Sequence, residues 1–259
     1  MRVSTLGIIG GTGWLGGALA QAVLETGFLR AGSLFLSNRS GRHPLQASGA
    51  QLLIDNQAVV DASDTVVISV RPEQFSELTL DASGKRVISL MAGVTSQAIA
   101  EATGATVVVR AMPNAAVAIR QSFTPWHCSS ELTPAAVAFV QGMFGCVGMA
   151  SRVPTEQCID YLSALSGTGP ALPALLMAAL MRQAVAAGVP EDIAQDAARG
   201  VVVNASQLLA TTEPHALLDA LKAYKGVTAQ ALQSLEDAGF ERLIGDAVHA
   251  GAEVARRGM

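Results

Sequence analysis

Gly11, Gly13 and Gly16 stand in the spacing G-x-G-x-x-G, directly after the apolar run Thr5–Gly10 and at the mouth of the helical stretch Trp14–Glu25. A glycine turn at that junction does three things for a dinucleotide. It bends the chain tightly, lets the backbone approach a pyrophosphate, and lets helix and strand pack closely. The free N–H groups at the helix start then face negative charge. Glycines at this spacing also occur in ordinary turns. Here strand, turn, helix and a second strand, Ser33–Ser37, follow in order, and that order makes the pattern a dinucleotide-binding one.

The end of the second strand bears on which dinucleotide. An NAD-binding chain usually carries a carboxylate there for the ribose hydroxyls. This chain has Ser37-Asn38-Arg39-Ser40, with Arg42 beyond. A guanidinium beside small polar donors suits a 2′-phosphate, so NADP, with NADPH favoured over NADH, is the expected cofactor. A solvated loop in which Arg39 does nothing is the plainer alternative.

Further strands are expected at Gln51–Ile54, Thr65–Val70, Arg86–Met91 and Thr106–Arg110, the last three rich in Val and Ile without polar alternation. Such runs suit parallel strands covered on both faces. Helical stretches at Pro72–Leu78 and Ser96–Ala102 lie between them, so the first half reads as an α/β, doubly wound Rossmann-type sheet. From Pro154 the character changes to helices alone: Thr155–Leu165, Pro170–Ala187, Glu191–Ala210, Pro214–Tyr224, Val227–Ala238 and Phe240–Arg256. The expected division is a dinucleotide-binding domain over 1–152 and an all-α domain over 153–259. Ala171–Ala187 is apolar on nearly every side and must be buried all round. A homodimer core, or a higher homo-oligomer, is the economical way to cover it.

Half of the residues are apolar and 15% are charged, which excludes a disordered chain. A net charge of −4 without a Lys/Arg cluster offers no footprint for nucleic acid. Three scattered cysteines without a C-x-x-C spacing suggest free thiols, no metal site and a cytoplasmic setting. The apolar run Pro170–Met181 is too short to span a bilayer, so no membrane partner is expected.

Several short pieces occur in an order that resembles the pyrroline-5-carboxylate reductase family over essentially the whole chain. They are Val70-Arg71-Pro72, Met91-Ala92-Gly93-Val94-Thr95, Arg110-Ala111-Met112-Pro113-Asn114, Leu165 through Ala171, and Gly226-Val227-Thr228. The resemblance implies a Rossmann domain joined to an interlocking dimerisation domain. It also implies NAD(P)H-dependent reduction of a cyclic imine to proline, a step of proline biosynthesis. It puts Gly11, Thr12, Gly13, Trp14 and Leu15 on the pyrophosphate and Asn38, Arg39 and Ser40 near the adenosine ribose. Asn56 falls at a cofactor-binding position, with a turn or capping role as the alternative. Ser69, Val70 and Arg71 would lie along the cofactor, and Ala92 and Gly93 near the nicotinamide. Around the substrate it implies Glu156 and the turn Lys225, Gly226, Val227 and Thr228. Thr228 is the candidate catalytic residue holding the imine nitrogen. Glu156 at an exposed helix start, and Thr228 as a helix cap, are the plainer readings.

The chain departs from the family at four places, the mildest being Arg71, which stands where lysine is usual and keeps the positive charge. Asn114-Ala115-Ala116 stands where asparagine-threonine-proline is usual. Lys222-Ala223-Tyr224-Lys225-Gly226 replaces a glycine-rich turn whose N–H groups meet the substrate carboxylate. The turn Gly10-Gly11-Thr12-Gly13 resembles that of reductases passing hydride between a deazaflavin and NADP. These departures leave two alternatives open: an imine reductase with a different substrate, or a catalytically silent NADP-binding relative. A β-hydroxyacid dehydrogenase would need a lysine soon after Gly167-Thr168-Gly169, where Pro170, Ala171, Leu172 and Pro173 stand instead.

Overall fold

The computed structural model describes residues 4–38, 45 and 48–257. It divides into two compact units, Met1–Thr168 with His249–Met259, and Gly169–Val248. The boundary read from composition, 152/153, lies upstream of this division.

The first unit is built on one eight-stranded sheet: β1 (Leu6–Ile9), β2 (Leu34–Ser37), β3 (Gln51–Leu53), β4 (Thr65–Ile68), β5 (Arg86–Ser89), β6 (Val107–Ala111), β7 (Ser122–Cys128) and β8 (Gly148–Arg152). Their spatial order is β3-β2-β1-β4-β5-β6-β7-β8, parallel except for the antiparallel β6–β7 pair. Order therefore reverses between β1 and β4, and a crevice at such a reversal is where open α/β sheets take ligands. β1 and β4 are buried along their full length. Alternation of side chains divides the core in two. Leu6, Ile8, Val67, Ile88 and Val109 join one cluster, and Ile9, Val66, Ile68, Val87 and Val108 the other. That is the period-2 pattern of strands covered on both faces.

The helices of this unit are α1 (Trp14–Glu25), α2 (Asn56–Asp61), α3 (Pro72–Phe75), α4 (Ser96–Thr103), α5 (Pro134–Gly145) and α6 (Glu156–Leu162). Their starts follow local chemistry: Thr95 accepts from Ala98 N–H and Thr133 from Ala136 N–H, with Pro134 at the first helical position. Four elements have no counterpart in the sequence reading: α2, α5, β7 and β8. β7 carries Pro125 in its interior, a residue that ordinarily argues against a central strand. Its strongest anchor is Trp126, fully buried with Nε1–H donated to Gln141 Oε1 at 2.9 Å.

The second unit is helical: α7 (Ala171–Ala186), α8 (Glu191–Arg199), α9 (Pro214–Ala223), α10 (Val227–Asp237) and the first half of α11 (Phe240–Arg257). The expected helix over Glu191–Ala210 is regular only to Arg199. It continues as a wider turn over Gly200–Asn204 and a tighter one over Ala205–Ala210. α7 buries none of its residues in one chain. The helical stretch Glu156–Ala186 spans 31 residues with mean hydropathy 1.5 in its most apolar window, of which 11% is buried. By length and composition it is long enough to cross a bilayer, which corrects the shorter estimate from Pro170–Met181. That estimate counted the run from Pro170 apart from the helix expected at Thr155–Leu165. A turn at residues 168–170 interrupts the stretch.

Candidate active site

Gly10, Asn38 and Ser69 each stand one residue beyond the carboxyl end of β1, β2 and β4, three adjacent strands in register. Within this turn the demand for glycine is sharpest at Gly10, which the sequence reading left out of the fingerprint. Its φ is +78°, and a Cβ there would meet the Ser69 carbonyl oxygen at 2.4 Å. Gly13 N–H donates to Gly10 O at 2.9 Å. A Cβ on Gly16 would lie 2.9 Å from both Gly10 O and Ser69 Oγ. The turn that closes on itself is thus Gly10, Gly13 and Gly16, while Gly11 is buried and donates its N–H to Ser37 O at 3.0 Å. The signal was in the sequence as the glycine doublet after β1.

α1 begins at Trp14 with Gly13 as its N-cap, and no side chain caps it. The first-turn N–H groups of an uncapped helix lack intrahelical acceptors. Thr12, Gly13 and Trp14 are exposed there, and Leu15 is half-buried.

A groove of about 440 Å³ opens beside this turn, lined among others by Gly10, Thr12, Gly13, Asn38, Asn56 and Ser69. Val70, Arg71 and Gln74 extend it. It gathers seven of the residues expected along the cofactor. Gly11, Trp14, Leu15, Ala92 and Gly93 lie outside its lining. Arg39 and Ser40 lie outside the described residues. Asn56 is the first residue of α2, whose cap is Asp55, accepting from Gln57 N–H at 3.0 Å. The capping role considered for Asn56 belongs to its neighbour. Its own Oδ1 accepts the buried Ser37 hydroxyl at 2.7 Å, which fixes the amide at the groove. Glycines with no room for a Cβ, an uncapped helix start and a groove at the strand-order reversal together fit a dinucleotide.

Beyond β5, Met91 is buried, Ala92 and Gly93 are half-buried, and Gly93 turns the chain with φ +71°. α4 follows at once. Its Ser96 donates from both N (2.7 Å) and Oγ (3.0 Å) to Glu156 Oε1 on α6. Arg110, near the end of β6 and 2% exposed, donates from Nη1 to the same oxygen and from Nη2 to Asp160 Oδ1, each at 2.9 Å. Glu156 is therefore more than an exposed helix start. Burial works to raise its pKa, but the Ser96 and Arg110 donors outweigh it and hold the carboxyl below its ordinary value of 4.5. Arg110 Nε is buried without a partner among the described residues. Nearby, Asn114 is buried and structural, donating Nδ2–H to Ser166 O and accepting from Ala116 N–H.

The turn after α9 is exposed. Tyr224 is 87% exposed, Lys225 adopts φ +46°, and Gly226 is the N-cap of α10 without a side-chain bond. Thr228, second in α10, is not its cap. Lys225 is one of two described residues other than glycine with positive φ. Such strain is held where surroundings or function demand it.

Residues 156–258 match the family model described as pyrroline-5-carboxylate reductase dimerisation, and residues 5–93 match NADP oxidoreductase, coenzyme F420-dependent. The pyrroline-5-carboxylate reductase of Pisum sativum is 30% identical over 261 residues, 97% of this chain and 95% of that protein. A pyrroline-5-carboxylate reductase from Coxiella burnetii is similar in structure, with TM-score 0.87, 25% identity and 98% of each chain covered. The Plasmodium falciparum pyrroline carboxylate reductase with NADP bound shares the fold at TM-score 0.83 and 22% identity, over 99% of this chain and 98% of that one.

Proposed function

The chain belongs to the pyrroline-5-carboxylate reductase family, and on that premise we propose that it reduces 1-pyrroline-5-carboxylate to L-proline with NADPH. The observation that carries the reading is the groove at the β1/β4 reversal, built on a turn that excludes a Cβ at Gly10 and Gly16. NADPH supplies the hydride, and the protein supplies binding, orientation and electrostatics.

In this reading the turn from Gly11 to Leu15 takes the pyrophosphate through the N–H groups of Thr12, Trp14 and Leu15, while those of Gly11 and Gly13 hold the turn itself through Ser37 O and Gly10 O. Asn38, Arg39 and Ser40 take the ribose and its 2′-phosphate, and Asn56 and Ser69–Arg71 line the rest. Ala92 and Gly93 flank the nicotinamide. The Thr228 hydroxyl holds the imine nitrogen. A hydroxyl is too weak an acid to drive proton transfer, so its role is to orient. The N–H groups of Gly226 and Val227 and the Lys225 ammonium meet the substrate carboxylate. α7, apolar and unburied in one chain, is covered by a second copy, so the working form is a homodimer or larger. The free thiols of Cys128, Cys146 and Cys158 suit the cytoplasm.

One observation favours a second reading, reduction of a different imine: bulky Tyr224 and strained Lys225 stand in the substrate turn. Lys225→Met decides between them. With pyrroline-5-carboxylate as substrate, its KM should rise several-fold, while uncharged 1-pyrroline should be unaffected. If the unmutated protein turns over only the uncharged imine, the second reading stands.

A further inference from the structure

Glu156 Oε1 collects three hydrogen bonds from two elements, the Ser96 N–H and hydroxyl at the head of α4 and the Arg110 Nη1 on β6. Glu156 and Asp160 stand four residues apart on α6, so the fork of Arg110 grips one face of that helix through both carboxylates. Arg110 pairs in register with Ser89, the last residue of β5. From Ser89 the chain runs through Leu90, Met91, Ala92 and Gly93 to Ser96. The segment 90–95 is thus tied at one end by the sheet and at the other by a carboxylate whose place is set by Arg110. The rigid guanidinium reaches both carboxylates at once, one from each terminal nitrogen, a span that the single ammonium of a lysine does not reproduce.

We propose that Arg110 is a positioning residue that acts through Glu156 and Ser96 to hold the segment Ala92–Thr95 against the nicotinamide end of the cofactor site. The proposal rests on the reading that Ala92 and Gly93 flank the nicotinamide. Pyrophosphate binding by the turn at Gly10–Gly13 is a separate matter, so losing the network should disturb one end of the bound dinucleotide and spare the other.

The test uses Arg110→Met, Arg110→Lys and the milder Ser96→Ala, which leaves the ion pairs and the Ser96 N–H in place. NADPH is titrated into each full-length protein, and both its Kd and the emission of the bound nicotinamide are recorded. Neither readout requires turnover, so the result stands whether or not pyrroline-5-carboxylate is the substrate. Ser96→Ala should keep Kd within about threefold, shift the bound nicotinamide emission, and lower kcat about threefold with the true imine. Arg110→Met should lower kcat tenfold or more, and Arg110→Lys should restore part of it. If folded Ser96→Ala and Arg110→Lys bind NADPH with unchanged emission and unchanged kcat, differing only in Tm, the network is merely structural and the proposal is overturned. Normal emission shifts together with no reduction of pyrroline-5-carboxylate by the unmutated protein would instead refute the substrate reading and leave the positioning role supported.

Discussion

Replacing Gly10 by alanine tests whether the glycine turn is set by sterics. Two costs add. A left-handed φ of +78° costs an L-residue roughly 1–2 kcal/mol. The new methyl would also sit 2.4 Å from the Ser69 carbonyl oxygen. Restoring an ordinary contact requires a retreat of about 1 Å by a backbone atom just past the end of β4, in a residue whose own N–H is bonded to Ile9 O. Forced repacking of that kind costs about 1–3 kcal/mol. Gly27 supplies the control, because its φ is +71° and a Cβ there meets nothing within 4 Å. Gly10→Ala should therefore lose about 2–5 kcal/mol in urea unfolding and Gly27→Ala only about 1–2 kcal/mol. Since Gly10 and Ser69 both line the groove, NADPH affinity should fall at least tenfold in the first variant and stay unchanged in the second. Equal losses in the two variants, with NADPH binding intact in both, would refute the steric argument.

Other perturbations separate the remaining parts of the account. Thr228→Val should lower kcat/KM about two- to tenfold while leaving NADPH affinity alone, as expected for one hydrogen bond of about 0.5–1.5 kcal/mol; an unchanged kcat/KM would return Thr228 to a surface role. The depressed pKa of Glu156 gives a stability contribution that is complete above its ordinary value of 4.5 and fades as pH falls through the folded value. Urea midpoints of the unmutated protein and Glu156→Gln should accordingly differ near neutrality and converge in acid; parallel profiles would mean that the carboxylate is not the stabilised species. Sedimentation at micromolar concentration should show at least a dimer, and a monodisperse monomer would leave the apolar α7 unexplained.

The sheet was legible because its central strands declare themselves. Thr65–Ile68 and Val107–Ala111 are β-branched runs with no polar alternation, and the turn after β1 follows at once. The helices α1 and α7 were legible through their bounding glycines and prolines. β7 was not, because Pro125 and flanking polar residues mimic a loop, and its place depends on pairing with β6 and β8 across the sequence. The site divides in the same way. Groove residues follow strand ends and could be read in order, apart from Gly10, hidden by the doublet that offered Gly11 in its place. The Arg110–Glu156–Ser96 network joins residues up to 60 positions apart, and no local pattern announces it. The family resemblance named Arg110 and Glu156 separately, but nothing in the sequence paired them with each other or with Ser96.

The central claim is that this chain passes hydride from NADPH to the carbon–nitrogen double bond of 1-pyrroline-5-carboxylate. The most direct measurement is the amount of proline formed per NADPH oxidised when purified protein, cofactor and that imine are mixed, with NADH run in parallel. The account predicts one proline for each NADPH consumed, with kcat/KM higher for NADPH than for NADH. NADPH that binds tightly but is not oxidised, with no proline formed, would contradict it.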